Sequence, residues 1–228
     1  MSFNRVIDAE IDAANQRTAH RPIPSGILTR RPVLIVAFAG LALLLFSAWQ
    51  LNPLCLALSP LAVVALTGYS FTKRFTWLSH FALGLTDAMA PAGGWLAVQP
   101  RFTAPMLLLA FAVCIWIAGF DIIYACQDVD FDRKHGLHSI PARFGIGAAL
   151  RVSQICHGLM ILALLALGLS LGMGIIYYVG VVIAAGLLIY EHSLITPHDM
   201  SKIQVAFFTV NSYVASVLFF FALADLWL

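Results

Sequence analysis

The sequence predicts an all-α bundle of seven membrane-spanning helices. Three observations carry that expectation. Hydrophobic residues make up 61% of the chain and charged residues only 11%, with a mean hydropathy of +0.90, whereas a soluble domain carries about 25% charged residues. Apolar runs recur along most of the length, and a spanning helix needs about 17–25 such residues. Of the 13 lysines and arginines, all but Arg101 fall on one side of such a bundle, the bias that orients a membrane protein.

Each element follows in order. Residues 1–32 are polar and contain no secretory signal pattern. The first apolar run covers about 33–51, bordered by Arg30 and Arg31 as interface anchors. Pro53 marks a reversal into a second run over about 54–71. A basic segment, 72–78, leads to the third run, about 79–98, and Pro100 and Pro105 frame a tight turn into the fourth, about 105–126. The charged segment 127–148 precedes a fifth run over about 149–171, and Gly172 turns it into the sixth, about 174–191. After polar residues 192–203 the seventh run covers about 204–225. Seven passes gather 1–32, 72–78, 127–148 and 192–203 on one face. The positive-inside bias makes that face cytoplasmic, in a membrane of the bacterial inner type. The cations are interleaved with carboxylates rather than drawn into a basic stripe, which argues against nucleic acid as a partner. The four cysteines form no CxxC pattern and read as small apolar packers. The seven histidines show no HExxH spacing and read as ordinary loop or core residues.

The acids are more informative. Only 11 aspartates and glutamates occur, and Asp8, Glu10, Asp12, Asp128, Asp130 and Asp132 fall in two short runs. Within them, Asn4-x3-Asp8-x3-Asp12 and Asp128-x3-Asp132 keep a spacing that puts side chains on one helical face, with Cβ atoms about 5–6 Å apart. Hard oxygen donors suit Mg²⁺ bound together with substrate phosphates, rather than zinc or copper. Asn4, Asp8 and Asp12 are therefore expected to form one metal-binding wall and Asp128 and Asp132 the other, on a phosphorylated or diphosphorylated lipid. Glu10 and Asp130 fall out of that register. Both runs are followed by cations and a Pro- or Gly-marked turn: Arg17, Arg21 and Pro24 after the first, Arg133, Lys134, Arg143 and Gly145 after the second. Asp121 lies about two turns deeper than Asp128, where an intramembrane acid is a functional candidate. Asp87 in the third run is a weaker one. Tyr69 and Tyr124 can hydrogen-bond a diphosphate or serve as interfacial aromatics.

The segments FNRVIDAEIDAANQRTAHRPIPSG and FDIIYACQDVDFDRKHGLHSIPARFG resemble the first and second signatures of the UbiA superfamily of intramembrane prenyltransferases. GYSFTKRFTWLSHFALG resembles the basic loop between them. The similarity runs from residue 1 to about 225 and is greatest to the 4-hydroxybenzoate polyprenyltransferase-like branch, including its MqnP-type members. It implies a single catalytic domain over 1–228 that transfers a polyprenyl group from an allylic diphosphate to an aromatic acid, with Mg²⁺, in ubiquinone or menaquinone biosynthesis. It also implies roles: Arg17, Arg21 and Lys73 match family diphosphate contacts, with Lys134 and Arg143 as further candidates. Asp121 matches an acidic position expected to orient the acceptor or take its proton, beside Tyr124. Arg74 is expected to meet either the diphosphate or the acceptor carboxylate. The family often has Asp after the Asn of the first signature; Arg5 stands there and is not carried over as a ligand. Family members have nine spanning helices, so the resemblance implies that two, about 60 residues at bilayer length, are missing before the first signature.

Other classes fit less well. A small ion-coupled transporter would use Asp121 and Asp87 as midplane sites, yet most acids cluster at one face beside phosphate-binding cations. A CDP-alcohol phosphotransferase would carry an Asp-Gly-x2-Ala-Arg element that is absent here. Haem- or chlorophyll-type prenylation stays open within the resemblance.

Overall fold

The computed structural model describes residues 2–228, and every regular element in that range is helical. Two short helices, α1 (Ser2–Ile7) and α2 (Ala9–Ala14), open the chain. Seven long helices follow: α3 (Arg30–Leu51), α4 (Pro53–Thr72), α5 (Ser79–Val98), α6 (Ala104–Ala125), α9 (Ile146–Leu171), α10 (Ile175–Ser193) and α11 (Asn211–Trp227). Between α6 and α9 lie a 3-10 turn at Cys126–Asp128, α7 (Val129–Lys134) and α8 (Ile140–Phe144). Local chemistry sets the ends. Asn52 Oδ1 accepts from Cys55 N at 2.9 Å and Pro53 opens α4, as caps and first-turn prolines do. Gly172, at φ +67°, ends α9 while Met173 N bonds back to Gly168 O at 2.9 Å, a left-handed C-terminal cap that glycine adopts without strain.

Six of the long helices are apolar enough to cross a membrane by length and composition, and α5 is the exception to the seven expected. Its sequence carries His80, Asp87 and three glycines. Yet α5 runs the depth of the bundle, antiparallel to both neighbours. Asn52 at the start of α4 donates to Leu96 O near the end of α5 (2.9 Å), and His80 at the start of α5 meets Asp121 near the end of α6 (2.7 Å). Gly84 lets α5 and α6 touch, because a Cβ there would strike the Cys114 carbonyl; small residues permit such approach between membrane helices. α5 is thus polar because it is sandwiched rather than because it lies outside the bundle.

The main core is shared by α6, α9, α10 and α11, through Ile115, Met160, Leu164, Val181 and Val214. A second cluster, with Ile122, Ile140, Ala149 and Ile203, fixes α8 and the loop before α11 against α6 and α9. In α3 only Ala37 and Ala48 are buried. All four cysteines are free.

The start of α11 is a π-helical turn, Val205–Val210. Such turns free backbone carbonyls, and Asn211 Nδ2 takes two of them, Ala206 O at 3.1 Å and Phe207 O at 3.2 Å. The same amide reaches Glu191 Oε1 at 3.0 Å, and its oxygen accepts from Trp116 Nε1 at 2.8 Å. Asn211 thereby ties α6, α10 and α11 around a fully buried glutamate. Asn211→Leu is expected to lower stability by about 1–3 kcal/mol, the penalty for orphaning buried polar groups. Thermal unfolding in detergent checks this, and an unchanged midpoint would refute it.

Candidate active site

The polar ends of these helices and the N-terminal segment enclose a cavity of about 490 Å³, within the range of small-molecule sites. The first acidic run forms one wall. The helix breaks at Asp8 (φ −93°, ψ 6°), but Asp8 N still bonds Asn4 O at 2.9 Å and Asp12 N bonds Asp8 O at 2.7 Å. The four-residue register survives the break, so Asn4, Asp8 and Asp12 all line the cavity. Asn4 Nδ2 donates to Asp8 Oδ2 at 2.7 Å. Opposite, the tightening of α6 into its 3-10 turn presents Asp128, and α7 presents Asp132.

Each of three carboxylates holds a cation. Lys73 Nζ lies 3.0 Å from Asp8 Oδ2. Arg21 Nη1 reaches both oxygens of Asp12, at 2.6 and 2.7 Å. Arg17 grips Asp128 with two parallel bonds: Nε to Oδ1 at 2.9 Å, and Nη2 to Oδ2. Its Nη1 donates to Tyr124 OH at 2.8 Å, and its guanidinium lies over the Tyr124 ring. Burial opposes the charge of Arg17, but its bonds to Asp128 and the Asp128 and Tyr124 charges outweigh it, so its pKa is raised above the ordinary arginine value. Asn15 Nδ2 also donates to Asp128 Oδ1, at 2.8 Å. The first signature therefore reaches across the cavity and holds the second.

Below this charged mouth the lining becomes apolar and aromatic. Phe207, delivered by the π-turn, stacks on Tyr124 with ring centroids 4.1 Å apart and meets Phe120 edge-on at 5.3 Å. Asp121 faces the cavity from α6 and takes His80 Nδ1 at 2.7 Å on Oδ2. Asp87 and Tyr69 line the same cavity. The two acids a transporter would use thus share one chamber with the phosphate-type cations.

Three expected site residues stand elsewhere. Lys134 and Arg143 are exposed and absent from the cavity wall; Arg143 lies over the Phe144 ring. Arg74 also lies outside, where it donates to Ile7 O at 2.9 Å and stays 3.7 Å from Asp8 Oδ1. It clamps the N-terminal segment onto the bundle. Lys134 and Arg143 follow the second acidic run in sequence, but the short helices α7 and α8 turn them to the rim, and Arg74 lies in the turn after α4. Glu10 pairs with Arg30 on the surface and Asp130 is exposed, as their register implied.

His80, Asn15 and Arg5 also line the cavity, and none of them was expected there from the sequence. A histidine at the start of a predicted span was itself a signal, since intramembrane ionisable groups need partners. Arg5 lines the cavity, and its Nη1 is buried with no hydrogen-bond partner among the described residues.

The donor chemistry fits a hard divalent cation: Asp8, Asp12, Asp128 and Asp132 offer only oxygen, and Asp8 Oδ1 is buried with no hydrogen-bond partner among the described residues. Among the described residues no three acids, histidines or cysteines converge on one point. Mg²⁺ needs no all-protein cage, because substrate phosphates complete its coordination.

The sequence matches the UbiA prenyltransferase family over residues 1–222. A 4-hydroxybenzoate octaprenyltransferase of Aliivibrio fischeri (strain MJ11) is 33% identical over 222 residues, covering 95% of this chain and 75% of that protein. The apo structure of a UbiA homolog from Aeropyrum pernix K1 superimposes with a TM-score of 0.89 at 32% identity, covering 99% of this chain and 84% of the other. A structure described under digeranylgeranylglyceryl phosphate synthase shares the fold, with a TM-score of 0.72 at 21% identity, covering 98% and 79%.

Proposed function

The chain belongs to the UbiA prenyltransferase family, and we propose that it transfers a polyprenyl group from an allylic diphosphate to an aromatic acid of the 4-hydroxybenzoate class, in quinone biosynthesis. One observation supports this most: a single cavity passes from a mouth of paired acids and cations to an aromatic floor with two further acids, Asp87 and Asp121. The charged mouth suits the diphosphate; the floor suits the allylic carbons and the ring. In this reading the bilayer supplies the polyprenyl substrate, and the one-sided cations favour a mouth on the cytoplasmic face.

In this reading Asp8, Asp12 and Asp128, with Asn4 and Asp132, would hold Mg²⁺, which when bound neutralises diphosphate and makes it a better leaving group. Arg17, Arg21 and Lys73 exchange carboxylate oxygens for diphosphate oxygens, Arg as a fork and Lys as a point charge. Tyr69 and Tyr124 offer hydroxyls nearby. The C–O bond breaks with its electron pair leaving on the diphosphate, the ring attacks the allylic carbon, and Asp121 takes the displaced ring proton. Phe120, Phe207 and Tyr124 keep water from the allylic cation and present π-faces to it.

Among the described residues Arg5 is the cavity arginine with no carboxylate partner to leave first. Arg5→Ala is expected to raise KM for the prenyl diphosphate roughly 10-fold or more, the scale of a charge-assisted hydrogen bond. Initial rates at varied diphosphate check it; an unchanged KM removes Arg5 from the site.

The function itself is tested with purified protein, labelled polyprenyl diphosphate and a panel of aromatic acids, with Mg²⁺ or with excess EDTA. Metal-dependent prenylation of a 4-hydroxybenzoate-type acid is expected. Full activity in EDTA would contradict the metal assignment, and no prenylation of any aromatic acid would contradict the acceptor class.

A further inference from the structure

His80 is 3% exposed, in the first turn of α5, and both of its ring nitrogens are engaged. Ile140 N donates to Nε2 at 3.3 Å. A nitrogen that accepts a backbone N–H carries no hydrogen itself, so the hydrogen sits on Nδ1 and is donated to Asp121 Oδ2 at 2.7 Å. The partner used to set the tautomer is not incidental. Ile140 follows Ser139, whose hydroxyl donates to Asp132 Oδ2 at 2.8 Å and caps α8. The same loop is stitched to the basic segment before α5, with His138 N on Lys73 O at 2.7 Å. One imidazole therefore joins the segment that holds Asp132 through Ser139 to Asp121 on α6.

We propose that His80 is a positioning residue: it fixes the rotamer of Asp121 for removal of the ring proton and ties that acid to the loop behind the second signature. The inference rests on the reading of Asp121 as the proton acceptor. The His80 hydrogen bond occupies Oδ2, so Oδ1 is the oxygen left for the ring proton. A charge-assisted N–H to carboxylate bond is short and directional, and a carboxylate on a long helix end has no other donor here to fix it among the described residues. No proton passes through the imidazole in this scheme. The bond that forms is O–H on Asp121, and the bond that breaks is C–H on the ring.

The test compares His80→Gln with His80→Phe. A glutamine amide offers one donor and one acceptor and cannot ionise; phenylalanine keeps the ring shape with neither. His80→Phe is expected to lower kcat about 10- to 100-fold, the scale for losing a residue that orients a catalytic group, with KM for the prenyl diphosphate unchanged. His80→Gln is expected to recover most of kcat. The unchanged diphosphate KM, with an unchanged elution profile in detergent, shows a folded charged mouth. If His80→Phe does not fold, His80→Gln decides against His80→Leu by the same readouts. A His80→Phe enzyme with full kcat overturns the proposal, as does a loss confined to stability and diphosphate KM, which marks His80 as a helix cap. A His80→Gln enzyme as slow as the Phe variant also overturns it, because the imidazole itself is then required. Asp121→Asn separates the two levels: full activity there refutes the proton-acceptor reading, whatever the His80 variants do.

Discussion

Asp128→Ala is expected to lower turnover at least about 100-fold, on the scale of removing a principal electrostatic stabiliser of the transition state. Asp128 is the point where the two signatures meet. It accepts from Asn15 at 2.8 Å and from Arg17 through two bonds, and lines the cavity beside Asp132. Alanine removes a proposed ligand for the divalent cation and releases Arg17 and Asn15 together. Asp128→Asn keeps the shape and an oxygen but loses the charge, so it is expected to be nearly as slow. Steady-state rates at saturating diphosphate and Mg²⁺ give the answer. Turnover within about threefold of wild type, well short of that stabiliser's scale, would remove Asp128 from the chemistry.

Arg17→Ala is expected to cost about as much, near 100-fold in kcat/KM, and Arg17→Lys is expected not to restore it. The guanidinium makes three directed contacts, two to Asp128 and one to Tyr124, and lies over the Tyr124 ring. A lysine ammonium supplies charge but neither the fork nor the planar face. Because Arg17 and Asp128 touch, their effects are expected not to add. The double variant should be little slower than either single one, as residues in one network behave. Fully multiplicative losses would mean that the pair acts independently. Full rescue by lysine would reduce Arg17 to a point charge.

The bundle was legible in the sequence because a spanning helix announces itself by length and apolarity. α4, α6 and α10 begin and end within a few residues of the apolar runs that predict them. The polarity of α5, which keeps it below the composition expected of a span, was legible only as a lone Asp87 and a histidine, since its packing between α4 and α6 is a tertiary fact. The acidic register was legible too: Asn4, Asp8 and Asp12 do share a face. The pairing of cations was not. Lys134 and Arg143 have the same sequence signature as Arg17 and Arg21, because positive-inside bias and phosphate binding both place arginine and lysine in these loops. Only the fold turns the former outward and the latter onto Asp128 and Asp12. The His80–Asp121 contact joins two helices at matching depth, and the Asn211 ties on the π-turn join three. Neither leaves a periodic trace.

In the proposed reaction the chamber between Asp8 and Asp128 joins an allylic carbon to an aromatic ring while diphosphate departs. That reaction is tested most directly by following both of its products. Purified wild-type protein and the Asp128→Ala variant are given a polyprenyl diphosphate, 4-hydroxybenzoate and Mg²⁺, with the prenylated acid measured by mass spectrometry and released diphosphate measured in parallel. The expected result is equal amounts of ring-prenylated acid and diphosphate from the wild type, and a common fall of both in the variant. Diphosphate release without a prenylated ring, or undiminished prenylation by Asp128→Ala, would contradict it.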